Sequence, residues 1–347
     1  MFNMQAFAPT VISGSPYEIG LALGQAARPV IDAYMGQSSA WRAVRQWRGH
    51  QFVQDLRQAA EATHPDQVVE IDGMAVGLGW PAEDAFIWNC RGELIHHAPD
   101  GCTTLAASTP DARFIAHNED GDPYLRDKCC MVDIRPTGKP GFVSFYYPGS
   151  LPGHTFAVNR AGLVQAINNL RIKQPAVGVP RMVLSRAVLD AASLDNAVHV
   201  LNNVQRASGF HHTLGCVGDE RLMSVEATVK RCSVSQVTGR SGHANHLIHA
   251  GCDAEAQIVT RSSGDRQARV DLLLAAGGDM SGASLLQVLS DRAPTGLPIY
   301  RDDPADPDEE NTLATALFIL TDAGVNFEVR QQGELRFSQF LTPQTHP

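Results

Sequence analysis

The chain has 347 residues, a net charge of -9, and 44% hydrophobic against 19% charged residues. That is ordinary globular composition, sufficient for one large domain or two modest ones, and it excludes a disordered chain. The acidic balance argues against nucleic acid or an anionic membrane as partner.

No stretch approaches the roughly 18 uninterrupted apolar residues that span a bilayer. Met1 to Pro9 show no basic start followed by an apolar core, so no signal peptide is expected. The seven cysteines are odd in number and contain no C-x-x-C, which fits neither a disulfide framework nor a zinc site. A reducing cytoplasm with mostly buried thiols is the expected setting, with no metal and no cofactor.

Residues 11 to 100 read as mainly helical. Ser15-Pro16-Tyr17-Glu18 has a capping hydroxyl, a proline at the first helical position and an acid three residues after the cap. The apolar run Ile19, Leu21, Ala22, Leu23, Ala26 follows, and Gly20 with Gly24 predicts close packing on a neighbouring helix. Further helices are expected over 38–48 and 52–62. After a break at His64-Pro65-Asp66 come helices over 68–76 and from Pro81 towards Ile95. His96 to Gly101 reads as a loop.

From Cys102 the texture turns to β. Strands are expected over 102–107, 113–117, 130–135, 141–147, 154–159, 163–170, 213–218, 222–226 and 231–237. A helix pair, 181–192 and 194–203, interrupts them. Helices near 263–276 and 284–289 follow. The acidic, proline-broken stretch Asp302 to Asn311 reads as a solvated surface loop, and strands near 313–320, 327–331 and 335–337 close the chain. A helical block before strands interrupted by helix pairs predicts an α+β or layered architecture, not alternating βαβ units. No internal repeat is visible. No G-x-G-x-x-G after a strand, no P-loop, no H-E-x-x-H and no G-x-S-x-G occurs, so nucleotide, zincin and α/β-hydrolase readings lack support.

The chemistry centres on Asp100-Gly101-Cys102-Thr103-Thr104 and His117-Asn118-Glu119-Asp120-Gly121-Asp122. The turn at Thr109-Pro110-Asp111 makes the two stretches a β-hairpin, which sets Cys102 beside Asn118 and Asp120. A thiol facing a carboxylate and amides suits nucleophilic catalysis. A lone cysteine is more often a small buried hydrophobe, and an Asn/Asp/Gly cluster more often a solvated turn.

Taken together, these segments resemble the family of isopenicillin N acyltransferase (acyl-coenzyme A:6-aminopenicillanic acid acyltransferase) and its bacterial relatives, which are cysteine N-terminal nucleophile hydrolases. The likeness is carried by Gly14 to Gly20 with Gly24, by Ile71-Asp72-Gly73-Met74-Ala75, and by Asn89-Cys90-Arg91-Gly92-Glu93-Leu94. It continues in Asp100 to Thr104, Asn118-Glu119-Asp120, Asn159 to Leu163 with Asn168-Asn169, Ala244-Asn245-His246 and Thr312 to Thr315.

The resemblance implies a four-layer αββα sandwich preceded by a helical prosegment. It also implies self-cleavage between Gly101 and Cys102 into segments 1–101 and 102–347 that remain associated. Cys102 would then be both nucleophile and, through its freed α-amine, its own base. Asp120 would orient that amine, and Asn245 would donate to the tetrahedral oxyanion. Asn169, with Asn168 as its rival in register, would help hold substrate or oxyanion. Arg266, in Ser262-Ser263-Gly264-Asp265-Arg266, resembles the Ser-Ser-x-x-Arg of bile-salt hydrolases and would pair with Asp120. His117 and Asn118 would line the substrate site together with Asn168.

Two departures bar any transfer of penicillin or bile-salt specificity. Position 117 is His where bile-salt hydrolases carry Arg, and position 119 is Glu where the penicillin enzyme carries an aromatic residue. Asp122 is a candidate contact for a cationic substrate. The expected activity is hydrolysis or acyl transfer at a linear amide of a small molecule. The alternatives are a peptidase of short β-alanyl or acyl-amino conjugates, and a member of the fold that never matures.

Overall fold

Alternating apolar positions build two stacked sheets in the computed structural model, which describes residues 7–95, 100–252, 255–293 and 297–344. Of the loop expected over 96–101, residues 96–99 lie outside this set, as do the first six residues of the chain, while Asp100 and Gly101 are the first residues of a strand. Among the described residues the strands are β1 (Thr10–Gly14), β2 (Asp100–Ser108), β3 (Arg113–Gly121), β4 (Cys130–Pro136), β5 (Phe142–Tyr146), β6 (Phe156–Asn159) and β7 (Leu163–Leu170). They continue as β8 (Gly209–Cys216), β9 (Leu222–Ala227), β10 (Cys232–Gln236), β11 (Arg240–His243), β12 (Asn311–Thr321), β13 (Gly324–Gln331) and β14 (Glu334–Leu341). One sheet runs β1-β4-β5-β6-β7-β8-β9-β10, and the other runs β11-β2-β3-β12-β13-β14.

The helices are α1 (Pro16–Gln37), α2 (Ser39–Val44), α3 (Gln51–Thr63), α4 (Pro65–Leu78), α5 (Ala82–Asn89), α6 (Arg91–Leu94), α7 (Arg181–Val188), α8 (Leu194–Asn202), α9 (Arg261–Ala275) and α10 (Gly282–Leu289). A continuous apolar cluster joins Ile19, Leu56, Ile71, Phe86, Val183 and Leu194 of the helices before β8 to Ile115, Phe156 and Phe318 between the sheets. A second cluster packs Val270, Leu285 and Leu289 of α9 and α10 onto Leu105, Ala107, Ala116 and Leu317, the outer face of the six-stranded sheet. The layers are therefore α, β, β, α, the sandwich that the resemblance implies. No helix among the described residues is long and apolar enough to cross a membrane.

The helix start at Ser15 forms as the sequence predicts. Its hydroxyl accepts from Glu18 N–H while the Glu18 carboxylate accepts from Ser15 N–H at 2.8 Å. Gly20 faces the backbone carbonyl of Glu70, and Gly73 faces that of Tyr17, so closely that a Cβ at either would overlap the opposing backbone. This close approach locks α1 against α4.

Four expectations are corrected. Residues 10–14, ahead of the helix start at Ser15 in the stretch read as mainly helical, form a strand, because they find a non-local parallel partner in β4 (Thr10↔Val132 to Gly14↔Pro136). The expected break is present at His64, whose φ of -135° and ψ of 55° separate α3 from α4, but α4 starts earlier than 68, since Pro65 takes its first position, where the missing N–H costs nothing. β11 has no counterpart among the expected strands, for its Arg-Ser-Gly-His lacks apolar alternation; it is held by pairing with β2. The acidic stretch is not a wholly solvated loop, since Asp306 and Glu310 are buried on the Arg301 guanidinium and Asn311 is buried beside them.

Candidate active site

The β2–β3 hairpin fixes the site by its register. Ser108 pairs with Arg113 across the turn, which places Cys102 opposite Glu119, Gly101 opposite Asp120 and Thr103 opposite Asn118. Side chains alternate between the faces of a strand. Cys102, Thr104, His117 and Glu119 therefore point between the two sheets. Thr103, Asn118 and Asp120 point towards α9 and α10.

On the inner face the Cys102 thiol donates to Glu119 Oε2 at 3.7 Å. Glu119 Oε1 accepts from the Tyr147 hydroxyl at 2.8 Å, and its Oε2 lies 3.0 Å from His117 Nε2. Burial pushes the His117 imidazole down to about 3, so it is uncharged at neutral pH. Its other nitrogen, Nδ1, lies 2.8 Å from Thr104 Oγ1. All of these side chains are buried, with Cys102 only 3% exposed.

The backbone of Cys102 is clamped from α9 and the segment before it. Asn245 Oδ1 accepts the Cys102 N–H at 2.9 Å and Arg266 Nη2 at 2.6 Å. Arg266 Nη1 donates to the Cys102 carbonyl and to Thr103 Oγ1. The first turn of α9 positions both residues, because Ser263 Oγ accepts the Asn245 N–H at 2.9 Å. Asn245 Nδ2 donates to the Asn169 carbonyl at 3.1 Å.

Asp120 accepts from Thr312 Oγ1 at 2.6 Å through Oδ1, whereas its Oδ2 is buried without a hydrogen-bond partner among the described residues. Burial raises its pKa, opposed by the fields of Arg266 and Arg301. Arg266 thus acts on Asp120 through space, while its hydrogen bonds go to Cys102, Thr103, Asn245 and Ser262. Gly101 abuts Glu310, whose carboxylate is fixed by Arg301 Nη1 at 2.6 Å and by Arg171 at 3.5 Å.

The structure gathers Cys102, Asp120, Asn245, Arg266 and His117 around one strand start. Asn118 is turned away from the thiol. Its Nδ2 donates to the Leu289 carbonyl at 2.8 Å and its Oδ1 accepts from Thr315, because it shares a face with Thr103 rather than Cys102. Asn168 faces inward and accepts from Thr104 Oγ1 at 2.7 Å. The Asn169 side chain instead meets Arg181 on α7, and this residue reaches the site through its backbone carbonyl.

Glu119, Tyr147, Arg301 and Glu310 join the site without having been singled out as members from the sequence. Glu119 was within reach, since a turn after Ser108 that pairs with Arg113 puts position 119 opposite 102. Tyr147, Arg301 and Glu310 come from distant segments with no local signal. One ligand atom each from Cys102, His117 and Glu119 lies within 4.8 Å of the others, a set that could hold a metal ion.

An αββα sandwich with a buried cysteine at the start of an inner-sheet strand, clamped by Asn and Arg, defines the class. The chain belongs to the acyl-coenzyme A:6-aminopenicillanic acid acyl-transferase family, whose sequence model matches residues 107–334. It is 25% identical over 225 residues to the β-alanyl-dopamine/carcinine hydrolase of Drosophila melanogaster, covering 57% of this chain and 58% of that protein. It is also 25% identical over 272 residues to the 40 kDa form of acyl-coenzyme A:6-aminopenicillanic-acid-acyltransferase of Emericella nidulans, covering 75% of each. Among solved structures, the conjugated bile acid hydrolase of Clostridium perfringens superposes with a TM-score of 0.44 at 11% identity, over 70% of this chain and 92% of that one. Penicillin V acylase from Agrobacterium tumefaciens gives 0.40 at 17% identity, over 67% and 86%.

Proposed function

We propose that this chain is a self-processing cysteine amidohydrolase or acyltransferase that breaks a linear amide through a thioester on Cys102. The observation that carries the reading is the setting of Cys102. Its thiol faces the Glu119 carboxylate, its N–H is held by Asn245, and a glycine precedes it against Glu310.

Attack of the Cys102 thiolate on the Gly101 carbonyl moves the acyl group from nitrogen to sulfur and frees the α-amine. Water then hydrolyses the thioester, releasing a Gly101 carboxylate and restoring the thiol. An α-amine has an ordinary pKa of about 7.7–8.0, so it can take the proton of its own thiol near neutral pH. The unpartnered Oδ2 of Asp120, one register position from Cys102, supports a role in receiving the new ammonium. Asn245 and Arg266, already on the Cys102 backbone, are the groups we assign to holding the nucleophile and the developing charge. Arg266 brings a permanent positive charge to a dry site, where such a charge acts strongly.

Segments 1–101 and 102–347 would stay together after the cut. Asn89 accepts the Leu151 N–H at 2.7 Å, Glu93 accepts the Arg181 N–H at 2.9 Å, and Glu70 pairs with Arg186. Mass spectrometry of the purified protein tests the reading. Fragments of 1–101 and 102–347 are expected from the wild type, and a single intact chain from Cys102→Ala. Cutting of Cys102→Ala at the same bond would assign the cleavage to another protease and end the proposal.

A second reading, hydrolysis of short β-alanyl or acyl-amino conjugates, is favoured by the buried Glu119 carboxylate beside the thiol, which suits an acyl group carrying an ammonium. A competition between a β-alanyl amide and its uncharged butanoyl analogue decides it. Preference for the butanoyl compound would remove that reading.

A further inference from the structure

The hydrogen bonds around His117 allow a single assignment of protons. Asn168 Nδ2 donates to the His243 backbone carbonyl at 3.1 Å, which fixes the orientation of the amide. Asn168 Oδ1 must therefore accept from Thr104 Oγ1 at 2.7 Å and from His211 Nδ1 at 2.9 Å. The one hydroxyl proton of Thr104 is then committed, so Thr104 Oγ1 accepts from His117 Nδ1 at 2.8 Å. His117 carries its proton on Nδ1, and its Nε2 lone pair is aimed at Glu119 Oε2, 3.0 Å away. Two acceptors facing at that distance share either a proton or a metal ion, and the Cys102 sulfur stands 3.7 Å from the same oxygen.

We propose that Cys102 Sγ, His117 Nε2 and Glu119 Oε2 form a binding site for a single Zn²⁺ ion, which masks the thiol reversibly. Sulfur, imidazole and carboxylate are all zinc donors. With Zn–S about 2.3 Å and Zn–N or Zn–O about 2.0–2.1 Å, tetrahedral edges come to about 3.5 Å for S···O and about 3.3 Å for N···O. The observed 3.7 Å and 3.0 Å need only small adjustments. The outer partners are those a zinc site uses. His117 donates its other N–H to Thr104, and the second oxygen of Glu119 is held by the Tyr147 hydroxyl.

Three protein ligands leave a fourth position for water. In the cleaved protein the α-amine of Cys102 can take it, closing a five-membered chelate ring with the thiolate. That last step rests on the function proposed above; the three side-chain ligands do not. The bound ion replaces the thiol proton and the proton between His117 and Glu119, so occupancy and turnover exclude each other. A chelator should restore the thiol.

The test is equilibrium dialysis of the full chain, cleaved or not, against Zn²⁺, followed by metal analysis, with Co²⁺ as a spectroscopic substitute. One ion per chain is expected. The Co²⁺ protein should show thiolate-to-metal absorption in the near ultraviolet and the intense visible bands of a tetrahedral ion. Thr104→Val should weaken binding roughly 10–100-fold, the usual effect of an outer partner. Cys102→Ser, His117→Gln and Glu119→Gln should each weaken it more. Binding that survives His117→Gln and Glu119→Gln, or a Co²⁺ spectrum without a thiolate band, overturns the site. Should a variant fail to fold, the wild-type spectrum decides alone. Because binding is read without substrate, a chain with no amidase activity still shows whether the metal binds, and an active chain that ignores Zn²⁺ leaves the proposed function standing.

Discussion

Asn245 Oδ1 accepts the backbone N–H of Cys102 at 2.9 Å, a contact between residues 143 positions apart in the chain. The same amide gives its Nδ2 to the Asn169 carbonyl, so its oxygen and its nitrogen have separate tasks. Asn245→Asp keeps the acceptor for Cys102 and loses the donor, whereas Asn245→Ala loses both. The Asp variant is expected to self-cleave and the Ala variant to remain largely intact, as followed by mass spectrometry over time. Turnover by cleaved material should fall roughly a hundredfold or more in both, the usual scale for losing one oxyanion donor. Substrate binding should suffer less, because the interaction grows only as charge develops. Normal turnover by cleaved Asn245→Ala would remove this residue from the chemistry.

Gly101 has no room for a side chain. A Cβ there would overlap Glu310 Oε2 and crowd the Glu310 carboxyl carbon. Glu310 cannot swing aside, since Arg301 and Arg171 both hold its carboxylate. Gly101→Ala should therefore displace the scissile carbonyl and slow self-cleavage by about a hundredfold, as expected of a displacement near 1 Å. Adding Glu310→Ala should recover part of the rate. Wild-type cleavage by Gly101→Ala would show that the strand start adapts without help.

Most of the fold is legible in the sequence because its elements carry local signals. The Ser15 cap, the helix pair near 181–203 and the alternating strands from Cys102 onward need only neighbouring residues to be recognised. β1 and β11 are not legible in this way. A five-residue strand and a polar four-residue strand carry almost no pattern of their own. They exist through partners 122 positions away in β1 (Thr10↔Val132) and 139 positions away in β11 (His243↔Thr104). The family likeness points to the Cys102 region, but facing is a matter of register. Asn118 and Glu119 are adjacent in sequence, and only the pairing shows that Glu119 shares the face of the thiol. The acidic stretch is opaque for a different reason. Nothing in Asp302 to Asn311 announces that Arg301 is buried within it.

The other thiols should be inert. Burial pushes Cys90 and Cys129 well above the usual thiol range, Cys130 up to about 12 and Cys216 up to about 11. Thiolate is the nucleophile, so a raised pKa means slow alkylation. Burial raises Cys232 and Cys252 as well. Iodoacetamide at neutral pH should inactivate the folded, cleaved protein at one equivalent, with peptide mapping placing the label on Cys102. Inactivation that follows the labelling of another cysteine would count against Cys102.

The final prediction concerns what holds segment 1–101 to segment 102–347. Glu70 on α4 and Arg186 on α7 are 1% and 2% exposed, and Arg186 Nε donates to Glu70 Oε2 at 3.1 Å. Arg186 also pairs with Asp190 at 2.8 Å and lies over the Phe142 ring, so it is anchored on its own segment. Removing one member of such a buried pair leaves an uncompensated charge, at a cost of about 3–5 kcal/mol. Arg186→Met should therefore lower stability by about that amount and promote loss of the 1–101 fragment on gel filtration. Glu70→Met should cost less, because Arg186 keeps Asp190. The double replacement should recover much of the loss, since two apolar side chains can fill the space without charge. The pH dependence has a defined sign. Burial already pushes Glu70 up to about 6, with Arg186 pulling the other way, so loss of Arg186 raises it further. A carboxyl raised in the folded state supports folding at low pH and loses that support as pH rises through its folded pKa. The deficit of Arg186→Met, measured by urea unfolding, should therefore shrink between pH 7 and pH 5. A deficit that stays constant over that interval would mean that Glu70 is not the charge left behind.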